Sequence, residues 1–275
     1  MEKETYIRII EPKKGWVSID FKELWHYRDL LYFLVWRDIK VRYSETVLGI
    51  AWAVIQPLTT VLVFSVIFGR WIKVSSEGYP YALFVYAAVL PWGFFSTAVT
   101  TCGNSVLGSA NLITKVYFPR LVIPIASIGA GIIDFLISLC VMFLLMFFYR
   151  VPWHPGLLLL PFLFLCLAFT ALGIGTLVSA LIVSYRDLRH VLPFAIQIWM
   201  YLTPIVYSPS LFSQKWRWVL NFNPMAGLIE NFRSAFLGKP FDIAAFGISL
   251  SVAALFFLIG VSYFEQVQRK FADIL

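Results

Sequence analysis

Charge is what this chain has least of. Charged side chains make up 13% of its 275 residues, about half of the ~25% usual for a soluble domain. That shortage leaves no room for a sizeable soluble domain and points to a chain solvated mostly by lipid. Cysteine and histidine are equally sparse, at three each. Cys102, Cys140 and Cys166 all fall inside apolar runs, so they offer neither a disulfide framework nor metal-binding spacing. His26, His154 and His190 lie in separate segments, none with a neighbour at ligand spacing. The phosphate-binding pattern G-x-x-x-x-G-K-S/T is absent, which excludes ATP binding through a P-loop in this chain. No Ser-His-Asp arrangement and no paired intramembrane carboxylates stand out. Met1–Asp20 is charged and lacks an apolar h-region, so no cleaved signal peptide is expected. The net charge of +7 does not suggest nucleic acid, because the basic residues are scattered between apolar runs.

What the chain has in abundance is long apolar runs. A membrane-crossing helix needs about 20 residues to span a ~30 Å hydrocarbon core. No charge occurs between Glu45 and Arg70, which gives a first span near 47–68. Gly78–Thr114 is also uncharged but too long for one helix, and its polar tail (Asn104, Ser105, Ser109, Asn111) places the second span near 81–106. The remaining expected spans are 121–149, 157–183, 191–206 and 243–264, with Pro161 tolerated in the first turn of the fourth. Six spans put both termini on one side. If that side is cytoplasmic, fifteen of the 22 Lys and Arg residues lie inside, the orientation the positive-inside rule favours. The expected fold is therefore an all-α integral membrane protein, with residues 1–45 as a cytoplasmic N-terminal segment and 46–275 as a six-span domain.

Two segments are not expected to cross. In Phe21–Tyr43 the residues Tyr32, Val35, Trp36, Ile39 and Tyr43 recur at helical spacing, while Arg37, Lys40 and Ser44 share another face. This pattern predicts an amphipathic helix in the cytoplasmic interface, either a plain anchor or a docking surface for a soluble partner. In the second segment, Asn223-Pro224 reads as an N-cap followed by proline at the first helical position, and Gly238 reads as a stop. About 14 residues give only ~20 Å. With Leu211–Leu220 as a possible first arm, the segment 209–238 reads as a re-entrant hairpin on the outer side; the alternative is an amphipathic loop on the outer leaflet. Asp134 is the single ionisable residue inside a span. It reads either as a structural carboxyl, bonded to Ser127, Ser138 or another helix, or as a functional group.

The motifs at the first span boundary, Trp36-Arg37-Asp38-Ile39-Lys40-Val41-Arg42-Tyr43 and Thr46-Val47-Leu48-Gly49-Ile50-Ala51-Trp52, resemble the entry to the membrane subunit of polysaccharide-exporting ABC transporters. The similarity continues through Leu90-Pro91-Trp92, Asn111 to Pro119, Ser184-Tyr185-Arg186-Asp187 and Asn223 to Glu230. It covers nearly the whole chain from about residue 20. The resemblance implies a half-transporter: a second copy completes the channel, two separate nucleotide-binding subunits carry ATP and Mg, and the chain itself holds no cofactor and is not an enzyme. It also implies a coupling helix within Ser109–Arg120, with the N-terminal helix and Tyr185–Arg189 nearby. That makes Arg37, Lys40, Arg42, Asn111, Lys115, Tyr117, Arg120, Arg186 and Asp187 the expected contacts to the motor. The hairpin, with Asn223, Pro224, Glu230 and Arg233, is expected to cap the exit, and spans one and five to border a lateral opening.

The implied cargo is a polyprenyl-diphosphate-linked polysaccharide, O-antigen-like, crossing the inner membrane. Tyr81, Tyr86, Trp92, Trp199, Tyr201 and Tyr207 lie near the outer halves of the spans, where aromatic rings offer faces for sugar C–H groups. An interfacial aromatic belt explains them equally well. Teichoic acid or a small lipid or drug is an alternative cargo within the same class. An ion-coupled secondary transporter dependent on Asp134 is the alternative of a different class, and a membrane-embedded glycosyltransferase or phosphatase comes third.

Overall fold

The computed structural model describes residues 21–44, 49, 51–211, 219–268 and 271. Among these, all regular structure is helical. In chain order the principal helices are α1 (Phe21–His26), α2 (Arg28–Ser44), α3 (Ala51–Phe64, prolonged by a π-helical stretch Ser65–Trp71), α4 (Tyr81–Gly108) and α5 (Ala110–Lys115). They continue with α6 (Val122–Phe148), α7 (Leu160–Ser184, entered through the 3-10 turn Pro155–Leu159), α8 (Leu188–Leu202), α9 (Pro224–Leu237) and α10 (Ile243–Gln268). The long charge-free runs become helices because a chain surrounded by hydrocarbon must satisfy its backbone N–H and C=O groups within each segment.

Five helices are long and apolar enough to cross a membrane: α3 with its extension, α4, α6, α7 with its entry turn, and α10. The interval expected to hold a fifth span, 191–206, overlaps α8, whose 15 residues reach only about 22 Å. Beyond Leu202 the chain is extended at Thr203, with φ −98° and ψ 139°. Pro204 follows, and a residue ahead of proline is driven out of the helical region. The expected start of the first span (47, 48, 50), the N-terminal twenty residues and most of the proposed first hairpin arm (212–218) lie outside the described residues.

The bundle is built around α4, 72% of whose apolar window is buried, against 6% for α3 at the periphery. α4 packs on α6 and α7, α10 lies along α7, and α9 is wedged between α4 and α10. The α7–α10 crossing is made by glycine: a Cβ on Gly173 would stand 2.6 Å from the Phe257 backbone, and one on Gly260 only 2.3 Å from the Gly173 carbonyl. Such close approach lets dispersion and Cα–H contacts hold helices together where lipid offers no hydrophobic drive. One core runs through α4, α6, α7 and α9. A second gathers Leu34, Val106, Ile113, Phe118, Val122, Val183, Phe264 and Phe271 at one end of the bundle.

α2 is helical and packed against α6 on a face rotated from the expected one: Val35, Ile39 and Tyr43 of the expected stripe are partly covered, but Tyr32 and Trp36 are not. Leu34 is buried with Leu30, Leu31 and Val35 beside it, while Tyr32 and Trp36 are 69% and 55% exposed. The helix carries apolar residues around more than one face, so periodicity alone leaves its rotation open. Contact with α6, where Val35 sits over Gly129, settles it.

Candidate functional site

The end of the bundle that carries the second core is where the expected motor contacts gather. Gly108 ends α4, and the short α5 follows with Ile113 buried as its anchor. Phe118 and Leu121 pin the chain on the far side. Around these anchors Asn111, Lys115 and Tyr117 are exposed. Arg186 and Asp187 are exposed on the α7–α8 connection at the same end. Tyr27 donates its hydroxyl to the Tyr117 carbonyl at 3.5 Å, tying α1–α2 to this loop. Arg120 is partly covered, its guanidinium 5.7 Å from the centre of the Phe271 ring. Lys40 is exposed on α2, and Arg37 is paired with its neighbour Asp38 at 2.7 Å.

Arg42 is turned elsewhere. Its guanidinium donates to one carboxylate oxygen of Asp134, and the Tyr43 hydroxyl donates to the other. Both oxygens of the Asp134 carboxylate are thus taken by the last turn of α2. Of the expected partners for Asp134, it is another helix that binds it; the Ser127 hydroxyl donates instead to the Pro124 carbonyl at 2.8 Å. Burial, followed by the hydrogen bond to Asp134, pushes the Tyr43 phenol well above its ordinary range, so it stays a donor. The register Val35 over Gly129 and Arg42 against Asp134 shows α2 running alongside the first half of α6 in the same direction.

The opposite end of the bundle holds the second polar assembly. Asn223 caps α9 as its sequence promised, its side-chain oxygen accepting from the Met225 N–H at 3.0 Å. Pro224 occupies the first turn, and Gly238 closes the helix at φ 72°. α9 is buried all round save at Glu230, which rules out an amphipathic loop resting on a surface. Its Arg233 is wholly buried. The guanidinium donates to the carbonyls of Phe84 (3.2 Å), Tyr207 (3.4 Å) and Ile205, and to the Glu230 carboxylate at 3.1 Å. It also lies 3.9 Å from the centre of the Phe84 ring. A buried cation is tolerable only when its donors are satisfied in this way.

Beside it, Lys239 donates to Glu77 at 2.6 Å and stands 4.0 Å from Glu230. Glu77 also accepts from Ser208 and from Ser210 (3.2 Å). Burial alone would raise this carboxyl, but the bonds from Lys239 and Ser208 outweigh it and hold it below its ordinary range. A cavity of about 720 Å³ opens at this edge, with Glu77, Tyr79, Asn221, Glu230, Lys239 and Asp242 among its walls. Glu77 and Lys239 were not singled out from sequence as site residues. The available signal was that Glu77 is the sole acid between Glu45 and Asp134.

The candidate channel aromatics separate. Tyr86 and Trp92 are buried in the bundle. Trp92 packs against Phe95 and Trp199, and the Trp199 indole donates to Asn223 at 3.0 Å. Tyr81 donates to the Val206 carbonyl at 2.8 Å. Tyr207 is half-buried and offers its carbonyl to Arg233. Tyr201 alone of the six is freely exposed, at 59%. The covered rings pack within the bundle, with the polar atoms of Tyr81, Tyr86 and Trp199 committed to it, and Tyr201 is the one ring of the six presented outward.

Comparison with known proteins adds a family match and three relatives. The sequence profile of the ABC-2 type transporter family matches residues 29–237. An O-antigen export system permease protein of Klebsiella pneumoniae is 28% identical over 264 residues, spanning 94% of this chain and 100% of that protein. One of the same name from Myxococcus xanthus is 29% identical over 257 residues, with 92% and 97% covered. A polysialic acid transport protein of Escherichia coli is 26% identical over 232 residues, covering 81% and 86%.

Proposed function

Because this chain belongs to the ABC-2 type transporter family, we propose that it is the membrane-spanning permease subunit of an ABC exporter for a lipid-linked polysaccharide of the O-antigen kind. The observation that carries this reading is the near end-to-end match, over 90% or more of both chains, to permeases named for O-antigen export. The more distant match to a polysialic acid transport protein also concerns a sugar polymer. The chain performs no covalent chemistry on the cargo. ATP and Mg are held by two copies of a separate nucleotide-binding subunit, and a second copy of this chain completes the channel in the inner membrane.

In this reading the end carrying α2, α5 and the α7–α8 connection faces the cytoplasm, where most Lys and Arg lie. α8 and the extended residues after it form a short sixth crossing, so that both termini are cytoplasmic. Asn111, Lys115, Tyr117, Arg186 and Asp187, exposed together at that end, receive the motor, with Arg37, Lys40 and Arg120 at the margin. Arg42 acts one step behind them by fixing α2 to α6. At the other end the α9 segment is the re-entrant cap of the exit, held by Asn223, Pro224, Glu230 and Arg233, and Tyr201 is the leading candidate among the aromatics for touching sugar.

The test is export by cells or proteoliposomes containing the permease and its ATPase. Reversing charge at Lys115 and Arg120, together with a helix-breaking substitution within α5, is expected to abolish export while ATP hydrolysis continues. Full export by that variant sinks the assignment.

A further inference from the structure

α2 is attached to two different parts of the protein. Its first half belongs to the second core, where Leu30, Leu31, Leu34 and Val35 gather with Ile113 and Phe118, the anchors of the loop read as receiving the motor. Tyr27, just ahead of α2, donates to the Tyr117 carbonyl of the same loop. Beyond Val35 the attachment changes. No side chain of α2 after that residue enters either core, and Trp36 and Val41 are 55% and 53% exposed. Among the described residues, the side-chain hydrogen bonds that tie these last turns to another helix all end on Asp134. We propose that Asp134 is a positioning residue for coupling, the point through which displacement of the motor-receiving loop reaches α6. The proposal rests on the export reading.

Three features separate this role from ordinary packing. Asp134 stands near the middle of α6, where a carboxylate is costly. A covered ion pair is weak as a source of net stability, and its best-attested use is to fix register. Next, both carboxylate oxygens are held, and by adjacent residues, Arg42 and Tyr43. Apolar contact between helices is non-directional, whereas a hydrogen bond weakens steeply as it bends. Two such bonds resist sliding of α2 on α6 as well as rotation. Finally, α2 has a fulcrum. Val35 sits in a notch of α6 so narrow that a Cβ on Gly129 would stand 2.7 Å from it. Gripped at Val35 and again at Asp134, α2 carries α6 with it when its first half is pushed. Without the second grip its last turns swing about Val35, and the displacement stops at the notch.

The experiment uses the full chain with its ATPase in proteoliposomes and measures polymer exported per ATP hydrolysed. Asp134→Asn keeps the shape and removes the charge. It is expected to lower that ratio about fivefold, the shift that follows loss of a part-exposed charge-assisted bond, with the KM for ATP unchanged. Loss of folded protein lowers export and hydrolysis together and leaves the ratio alone, so a wild-type ratio overturns the proposal. Asp134→Glu is expected to recover most of the ratio, and a Glu variant no better than Asn overturns it too. If Asp134→Asn yields no folded protein, Tyr43→Phe, which deletes one of the two bonds, is read instead. A lowered ratio then supports the role and a wild-type ratio overturns it. A second measurement needs no polymer. Val41 and Leu136 are both exposed, and spin labels on Val41→Cys and Leu136→Cys, with the native cysteines changed to alanine, report the distance between α2 and α6. One narrow distribution is expected with Asp134 in place and a broad one with Asp134→Asn; equal distributions overturn the role. A wild-type complex that moves no polymer overturns the export reading alone, and the distance distributions still decide the role of Asp134.

Discussion

Arg42 and Asp134 are separated by 92 residues in the chain and joined by one ion pair, with Tyr43 on the second carboxylate oxygen. Each charged side chain keeps 30% of its exposure, so the pair is partly screened. Truncating either member nevertheless leaves its partner uncompensated against α6. We expect Arg42→Ala or Asp134→Ala to cost about 2 kcal/mol of stability each, and the double variant less than their sum, with a coupling of about 1 kcal/mol. A double-mutant cycle on unfolding in detergent measures this; strict additivity contradicts the pairing. Glu77 permits a test by pH. Its folded carboxyl is depressed, chiefly by Lys239 and Ser208 acting against burial, with Glu230 and Arg233 nearby. A group with a lowered folded pKa contributes stability that is present above its unfolded value and is lost as pH falls through the folded one. Thermal stability is therefore expected to drop as pH falls below the ordinary Glu value of ~4.3, and Glu77→Gln is expected to lack that component. Equal acid sensitivity in both proteins counts against it.

At the scale of elements, the α7–α10 crossing is the contact least able to absorb change. Gly173 meets the backbone of Phe257, and Gly260 meets the carbonyl of Gly173, so no rotamer adjustment can make space. Gly173→Val is expected to destabilise the protein by about 1–3 kcal/mol, or more where the helices cannot separate. Thermal unfolding in detergent reports it, and a wild-type melting temperature rules out the tight crossing. Gly93, around which no neighbour lies within 4 Å of an added Cβ, is the control. α9 teaches a second lesson at this scale. Its caps, Asn223 and Gly238, were legible because a cap is decided by the few residues around it. Its burial on every side was not, because the Glu230 and Arg233 pattern resembles a solvated face until the carbonyls of Ile205 and Tyr207 appear opposite.

For the whole molecule, α3 exposes Trp52, Ile55, Leu58, Leu62, Val63 and Val66, and α8 exposes Val191, Phe194, Ile198 and Tyr201. Apolar faces of this extent belong in lipid or against another chain. Composition, run length and local caps determined by themselves that the chain is helical and lipid-solvated, where most of its long helices lie, and where α9 starts and stops. Those properties follow from hydrocarbon as solvent and from hydrogen bonds within a few residues, both written locally. Tertiary structure alone decided the rest: the face α2 presents to α6, the partner of Asp134, the burial of Arg233, and the meeting of Ser208, Ser210 and Lys239 on Glu77. Each depends on which distant segments become neighbours. A charge in a sequence shows that it needs a partner, but the packing of glycine-lined helices chooses which one comes within reach.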